Sequence, residues 1–596
     1  MYVPQRGRRR ASLPMALVVG VAAILGVTLV TVPANAAPQA EFLGRVPHAN
    51  WYGAYIPVAG GAQIYADVLV PRERSGKVPV VLAVGPYFQH LRASRQRLAE
   101  RVPAQRYDDL VKGARLLERG YAVVFADLRG FANSSGCPDN SGPADRSDIR
   151  RIVRWAASQS WSSGKVGLYG KSYDGVTGLM AAGERIPGLA AVVAQEPVYD
   201  WYRYLYGNGV PRTTRVGTPL SLVYTSMNPP PSNVDVSSRQ FQDYLTRSAA
   251  NVINPGCVPA ALVATQSAGV NDPYWVSRRV LGRLRGSTVP LFLSQGFIDQ
   301  NTPADGLVDL LRNVSGPVTG WLGMWDHVRG NDTDRSAMMG HATDRSSTGR
   351  TDYLDQVAAF YGHYLKGEGP RPTGFYVQDN TGSWRVQNQW PLRSSVRRVA
   401  LTTGAYRFNG QQVATKVPFR NRWASTQIDG AAASFGVLQR TFDDAANGVW
   451  TLLPPEAAAI RISGAPRITL RTRLAGGHNP GTTPVAVDLY DVAPSGQAIL
   501  ISQNVSMLGP KTTSFRLFAT DWVVAPGHRL AIRVTDSNRG RWDYYAVPPN
   551  AVTVNVVGGE ALLPLAPVVS GTRTTGTSNT SLEGHLRWYR YPVPRR

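Results

Sequence analysis

The chain has 596 residues, with 64 Lys or Arg against 40 Asp or Glu, a formal net charge of +24. That length exceeds a single core and predicts two or three domains. Hydrophobic content of 43% and 17% charged residues exclude wholesale disorder. The basic residues are scattered, with no aromatic-interleaved strip and no nucleic-acid motif, so a nucleic acid is not an expected partner. The charge is read as solubility or attraction to an anionic cell wall.

Arg6, Arg8, Arg9 and Arg10 form a basic opening, followed by an apolar run from Met15 to Val32 and a small-x-small site at Ala34-Asn35-Ala36. This is a signal peptide over residues 1–36, and export with cleavage near Ala36 is expected. The run is just long enough for the alternative, a retained N-terminal membrane anchor. No second apolar run could span a bilayer, so no stable membrane insertion is expected after cleavage. The two cysteines, Cys137 and Cys257, are expected to pair in an exported protein, the alternative being two free thiols. Two cysteines and no histidine pair at ligand spacing give no expectation of a metal site or cofactor.

Ala62–Leu69 alternates like a half-buried strand. Val78–Val84 and Tyr121–Ala126 are continuous apolar runs, as in strands buried on both faces. Leu110–Arg119 and Asp145–Gln159 have helical spacing. Val166–Tyr169 is a short strand that runs through Gly170, Ser172 and Gly175 into a small-residue helix, Val176–Ala182. Leu189–Gln195, Val289–Ser294 and Val318–Gly323 are further buried strands, and Tyr353–Lys366 is an amphipathic helix. Strands alternating with helices mean a parallel sheet covered on both faces. Between Gln195 and Val289 lie about ninety residues, too many for an ordinary connection; roughly Tyr199–Arg285 reads as a mostly helical cap. Beyond Gly367 short alternating strands appear (Ala458–Ile462, Arg467–Thr472, Val485–Tyr490, Ile499–Ser506, Thr513–Phe518, Arg529–Thr535), which predict a β-sandwich of jelly-roll type. Gly571–Leu582 reads as an exposed loop. The expected organisation is a hydrolase domain over 37–198 and 286–390, a cap over 199–285, and a sandwich over 391–596.

Lys165–Gly175 (K-V-G-L-Y-G-K-S-Y-D-G) is a strand–turn–helix with a serine at its tip. Small residues flank Ser172 because the chain turns so tightly there, which marks Ser172 as a nucleophile. A serine hydroxyl needs a base. The order serine, acid, histidine and the strand after which each falls leave His327 and His341 among eight histidines. His327 directly follows strand Val318–Gly323 and is preferred; His341 lies in a later polar loop. The acid should follow the preceding strand, which selects Asp299, with Asp326 as runner-up. The oxyanion hole should combine the backbone N–H of Tyr173 with a donor after Val84. Pro86 has no N–H there, so the hydroxyl of Tyr87 is the candidate; otherwise Tyr87 is a pocket wall.

These residues resemble the cocaine esterase / X-prolyl dipeptidyl peptidase family of α/β-hydrolase serine hydrolases. The matching segments are Val78–Tyr87, Gly120–Gly130, Trp161–Gly175, Gln295–Asp299 and Trp325–His327, with Ile460–Ala475 and Trp522–Val534 resembling that family's jelly-roll domain. The resemblance spans nearly the whole chain after residue 36. It implies Ser172, Asp299 and His327 as a catalytic triad, and Tyr87 with the Tyr173 amide as oxyanion hole. Asp127 and Arg129 fall in its D-x-R-G turn and are expected to pair there. Asp174 departs from the family, which often carries an apolar residue at that place. Either a surface salt bridge or a tuning of pocket charge is open, with the carboxylate expected to point away from the oxyanion.

The family cleaves esters, proline-containing amides or β-lactam side chains through an acyl-enzyme, so the expected partner is a peptide or a small ester or amide. The first expectation is an exported X-prolyl dipeptidyl peptidase-like enzyme. It needs an anion for the free amine, with Glu196 or Asp200 available, and an apolar slot for proline. A carboxylesterase or acylase is the second, and an idle, secreted wall-binding scaffold the third. A homo-oligomer is left open.

Overall fold

The computed structural model describes residues 40–88, 106–211, 239–247, 249–299, 301–333, 345–392, 394–408, 447–475, 480–536, 552–588 and 590–592. The signal peptide read over 1–36, part of the cap segment, and His90, His341 and His478 lie outside the described residues.

A 12-stranded sheet organises residues 41–387. Its strands are β1 (Glu41–Val46), β2 (Ala49–Pro57), β3 (Gln63–Pro71), β4 (Val78–Gly85), β5 (Ala122–Asp127), β6 (Ser162–Lys171), β7 (Leu189–Gln195), β10 (Leu291–Gly296), β11 (Val318–Gly323), β12 (Phe375–Gln378) and β13 (Trp384–Gln387); β8 (Tyr206–Gly207) and β9 (Val210–Pro211) form a separate hairpin. The order is β1-β2-β3-β5-β4-β6-β7-β10-β11-β12-β13, closed at one edge by Thr572–Arg573. Strands β5, β4, β6, β7, β10, β11 and β12 run parallel. The flanking pairs β1–β2, β2–β3, β3–β5 and β12–β13 are antiparallel.

The apolar runs are buried on both faces, and successive residues divide between two cores. Leu82 and Val84, Leu168, Val192 and Ala194 enter one core; Val81 and Ala83, Tyr169, Ala191 and Val193 enter the other. This is the period-two alternation of a pleated strand with helices on each side. On the first face lie α1 (Pro143–Ser158) and α2 (Tyr173–Gly183), and on the second the segment Tyr107–Leu117 and the helix Tyr353–Tyr361. Two expected helices differ in form. Asp108–Gly113 is a single π-turn followed by turns, and Tyr353–Tyr361 passes into π-turns at Gly362–Lys366. A period of 3.6 in the sequence does not register one extra residue per turn.

Between β7 and β10 the described residues form short helices, α3 (Trp201–Leu205), Arg239–Arg247, Val258–Ala264 and Pro273–Ser277. The disulfide Cys137–Cys257 ties this segment to the loop after β5. After β13 the chain is rich in strands. One sheet holds Thr512–Arg516, Arg467–Leu474, Val552–Ala566, Ile460–Gly464 and Thr520–Val524; the other holds Gly448–Leu452, Arg529–Thr535, Pro484–Val492, Gln497–Met507 and Arg590–Pro592. Ile462, Leu470, Val487, Trp522 and Ile532 share one core. The segment read as an exposed loop, Gly571–Leu582, is mostly exposed and irregular, but it also contributes the sheet-edge strand Thr572–Arg573 and begins the helix Thr580–Trp588. Its polar composition hid pairing by backbone groups, such as the Thr577 N–H donated to Gly349 O at 2.9 Å.

Candidate active site

Strand β6 ends at Lys171, and Ser172 stands between it and α2 with φ 61° and ψ −119°. A left-handed non-glycine residue is strained and persists only where its surroundings hold it. Here the Ser172 N–H donates to Gln195 O at 2.9 Å, and Ser172 O accepts the Val176 N–H at 3.0 Å. A Cβ at Gly170 would lie 2.0 Å from Asp174 O, so the turn closes only with glycine there. The hydroxyl is therefore lifted off the carboxyl end of the parallel sheet.

The Tyr87 hydroxyl lies 3.5 Å from Ser172 Oγ and accepts the Tyr173 N–H at 3.4 Å. Tyr87 follows β4, the neighbour of β6. Hydroxyl and amide converge beside the nucleophile, where an oxyanion would form. Burial, with the Asp174 carboxylate adding to it, raises the Tyr87 phenol above its ordinary value, so it stays a neutral donor.

Asp299 follows β10 and His327 follows β11, adjacent parallel strands. Asp299 Oδ2 lies 2.8 Å from His327 Nδ1. The carboxylate also accepts the Asn301 N–H at 2.7 Å, the Thr302 N–H at 2.9 Å and the Thr302 hydroxyl at 2.8 Å. Burial disfavours its charge, but the imidazole and these donors outweigh it and hold Asp299 below the usual carboxylate range. His327 is lowered, by burial first and by the Lys171 charge, against the pull of Asp299. It is thus a neutral base near neutral pH.

Among the described residues no hydrogen bond joins Ser172 to His327. Their loops are nonetheless laced together. Lys171 Nζ donates to His327 O at 3.0 Å, and the Gly330 N–H donates to Gln195 Oε1 at 3.2 Å, Gln195 being the residue whose carbonyl holds Ser172. Resting sites often tighten only around substrate. A Cβ at Gly296 would lie 2.2 Å from Trp325 O, so the acid strand and the base loop also touch directly.

Of the other described histidines, His363 is bonded to Gly369 O, His528 to Asp491 and His585 to Leu500 O. Asp326 accepts the His327 N–H at 2.9 Å and so orders the loop that carries the base.

Three expectations need correction. Asp174 is not at the surface: its carboxylate is buried, accepts from Arg106 Nε and Nη2 at 2.8 and 3.0 Å, and accepts the Lys171 N–H at 3.0 Å. Burial would lower the Arg106 guanidinium, and Asp174 overrides that and raises it. Arg129 pairs with Asp148, not with Asp127, because helix α1 brings Asp148 within 2.6 Å. Glu196 and Asp200 are both committed internally. Glu196 accepts from Gly296 N at 2.8 Å, Trp325 Nε1 at 2.8 Å and Gln295 Nε2 at 3.0 Å. Asp200 caps α3 through the N–H groups of Tyr202 and Arg203. Burial, then the charge of Asp299, pushes Glu196 well up.

Sequence reasoning missed Thr302, Gln195, Arg106 and Lys171 as site residues. Lys171 stood inside the decisive motif; Arg106 gave no local signal. The ring of Trp201 packs 5.1 Å from that of Tyr173 and 5.6 Å from that of Tyr204, and the Tyr204 hydroxyl donates to Asn301 Oδ1 at 2.9 Å. Tyr173 and Trp201 are buried, and the half-buried Tyr204 links this cluster to the loop after Asp299. A separate cavity of about 560 Å³, lined by Arg45, Tyr52, Trp155 and Trp161 among others, lies at the β1–β3 side and includes none of these residues.

Residues 60–329 match the family described as X-Pro dipeptidyl-peptidase (S15 family), and residues 370–579 match the X-Pro dipeptidyl-peptidase C-terminal non-catalytic domain. The chain is 23% identical over 569 residues to the cocaine esterase of Rhodococcus sp. (strain MB1 Bresler), which covers 85% of this chain and 93% of that one. It is 23% identical over 200 residues to the Xaa-Pro dipeptidyl-peptidase of Pediococcus pentosaceus, covering 31% and 24%. The crystal structure of an aminopeptidase from the marine sediment archaeon Thaumarchaeota archaeon superposes with a TM-score of 0.63 at 18% identity, covering 91% of this chain and 99% of that one.

Proposed function

For a chain that belongs to the X-Pro dipeptidyl-peptidase / cocaine esterase family of serine hydrolases, we propose an exported enzyme that releases N-terminal Xaa-Pro dipeptides through a covalent acyl-enzyme. Ser172 Oγ attacks the scissile carbonyl while His327 Nε2 takes its proton. Asp299 holds Nδ1–H and stabilises the imidazolium. The oxyanion is received by the Tyr87 hydroxyl and the Tyr173 N–H. The tetrahedral intermediate collapses, the His327 proton goes to the leaving amine, and water then repeats the sequence on the Ser172 ester. The observation that carries this is the 2.8 Å Asp299–His327 contact on the strand ends beside the Ser172 turn, with two oxyanion donors alongside.

Tyr204, half-buried and packed on the buried Trp201, is the ring of this cluster available to a proline ring. In this reading Tyr199–Arg285 is a cap, the C-terminal strands form a jelly roll, and the leader is cleaved near Ala36 for secretion. No described helix is long and apolar enough to cross a membrane. An idle wall-binding scaffold does not suit a member of a serine hydrolase family.

One observation favours a second reading, a carboxylesterase or acylase: Glu196 and Asp200, the anions considered for a free amine, are both spent on internal bonds. Turnover of Ala-Pro anilide against short-chain aryl esters decides. Anilide turnover lost in Ser172→Ala is expected; an inert anilide beside rapid ester turnover rejects the peptidase.

A further inference from the structure

Lys171 is a buried cation that the acyl-transfer steps do not use. It ends β6 and immediately precedes the nucleophile. Only 8% of it is exposed, an expensive place for an ammonium without a carboxylate partner. Among the described residues no carboxylate lies within 4 Å of Nζ. Its partner is instead the carbonyl of His327, at 3.0 Å. The surrounding charges are already engaged. Arg329 pairs with Asp109 and Asp332, Arg106 pairs with Asp174, and Asp299 holds the imidazole.

We propose that Lys171 is a positioning residue for the general base, tethering the main chain of His327 to the strand that carries the nucleophile and setting a positive charge beside the imidazole. The inference rests on the triad reading above. Two carboxylates, Asp299 and Asp326, draw a proton onto His327; burial and the Lys171 charge oppose it. Burial, with Arg106 and Arg329, lowers the Lys171 ammonium below its ordinary value, against the pull of Asp332 and Asp299. A base needs its free lone pair in the resting enzyme, so a cation fixed to the base's own carbonyl keeps it unprotonated as pH falls. It also limits drift of the His327 loop away from Ser172, with which no hydrogen bond is yet formed.

The test compares Lys171→Met, Lys171→Arg and the native enzyme by the pH dependence of kcat/KM on a short-chain aryl ester. The rate of fluorophosphonate labelling and the melting temperature are read on the same samples. Removing the charge should raise the pKa of the acid limb by about half a unit or more and lower the plateau roughly five- to fifty-fold. Lys171→Arg should keep the native limb. If the Lys171→Met limb coincides with the native one, whatever happens to the plateau or the melt, the charge does not act on His327 and the proposal is overturned. Should Lys171→Met fail to fold, Lys171→Gln reads the same limb while keeping a donor. His327→Ala separates the two levels: full activity there refutes the triad and not this residue alone.

Discussion

Tyr87→Phe is the sharpest single change. The ring stays, half-buried beside the Arg106–Asp174 pair, and only the hydroxyl is lost. That hydroxyl stands 3.5 Å from Ser172 Oγ and 3.4 Å from the Tyr173 amide. Both distances are long for hydrogen bonds, as expected of donors gathered around a place that an oxyanion has yet to fill. Removing one preorganised donor costs about 3–4 kcal/mol of barrier, or roughly 10²–10³ in kcat. The Tyr173 amide is relieved of its present acceptor and remains as the second donor, so the lower end, about 100-fold, is expected. Because burial keeps the phenol neutral, the loss should not vary across the neutral range. Steady-state kinetics on an aryl ester and on Ala-Pro anilide measure it. KM should change less than about threefold, since the interaction belongs to the transition state, and the melting temperature should hold. A variant that keeps kcat within about threefold of native would assign the second donor elsewhere and leave Tyr87 as a pocket wall.

Asp299→Asn should keep the near-ultraviolet spectrum yet lower kcat by about 10³–10⁴, because an amide cannot hold the imidazole in the same tautomer; near-native turnover would remove Asp299 from the triad. In the native enzyme His327 sits below its ordinary pKa. The acid limb of kcat/KM should therefore lie below pH 6.5, with activity lost as pH falls and the imidazole protonates, and a limb above that value contradicts the buried, neutral base. Asp174→Ala strands a buried Arg106 charge and should cost about 3–5 kcal/mol by denaturant titration, whereas a cost under about 1 kcal/mol would mean the pair is solvated. Reduction should lower stability by about 5 kcal/mol, since Cys137 and Cys257 close a loop of 120 residues; two titratable thiols in untreated protein would refute the bond.

The legible parts of the sequence are those where one physical rule acts locally. Strands β7 and β11 fall where the apolar runs place them, because a strand buried on both faces must be apolar throughout. Asp299 and His327 meet because consecutive parallel strands put their following loops side by side. The rest depends on partners far apart in the chain. The first two strands, β1 at the sheet edge and β2 beside it, carry exposed and half-buried residues and so show no continuous run. Arg129 found Asp148, 19 residues on, rather than the aspartate two places before it, because helix packing and not motif proximity selected the partner.

Asp174 shows the same division within six residues. Small residues are needed where backbone meets backbone: a Cβ at Gly170 would strike Asp174 O at 2.0 Å, and one at Gly175 would come within 2.9 Å of Gln195 O. Position 174 faces the other way, toward β4, so a side chain fits there and glycine is not required. The carboxylate accepts the Lys171 N–H and locks onto Arg106. The turn that aims Ser172 is thus closed from below by an ion pair whose second member lies 68 residues earlier. A polar residue in an apolar motif suggests a surface salt bridge, whereas the Asp174 carboxylate is buried and its charge is felt by Tyr87. It is a buried brace, and its cost is offset only because Arg106 arrives from a segment that local pattern does not connect to the motif.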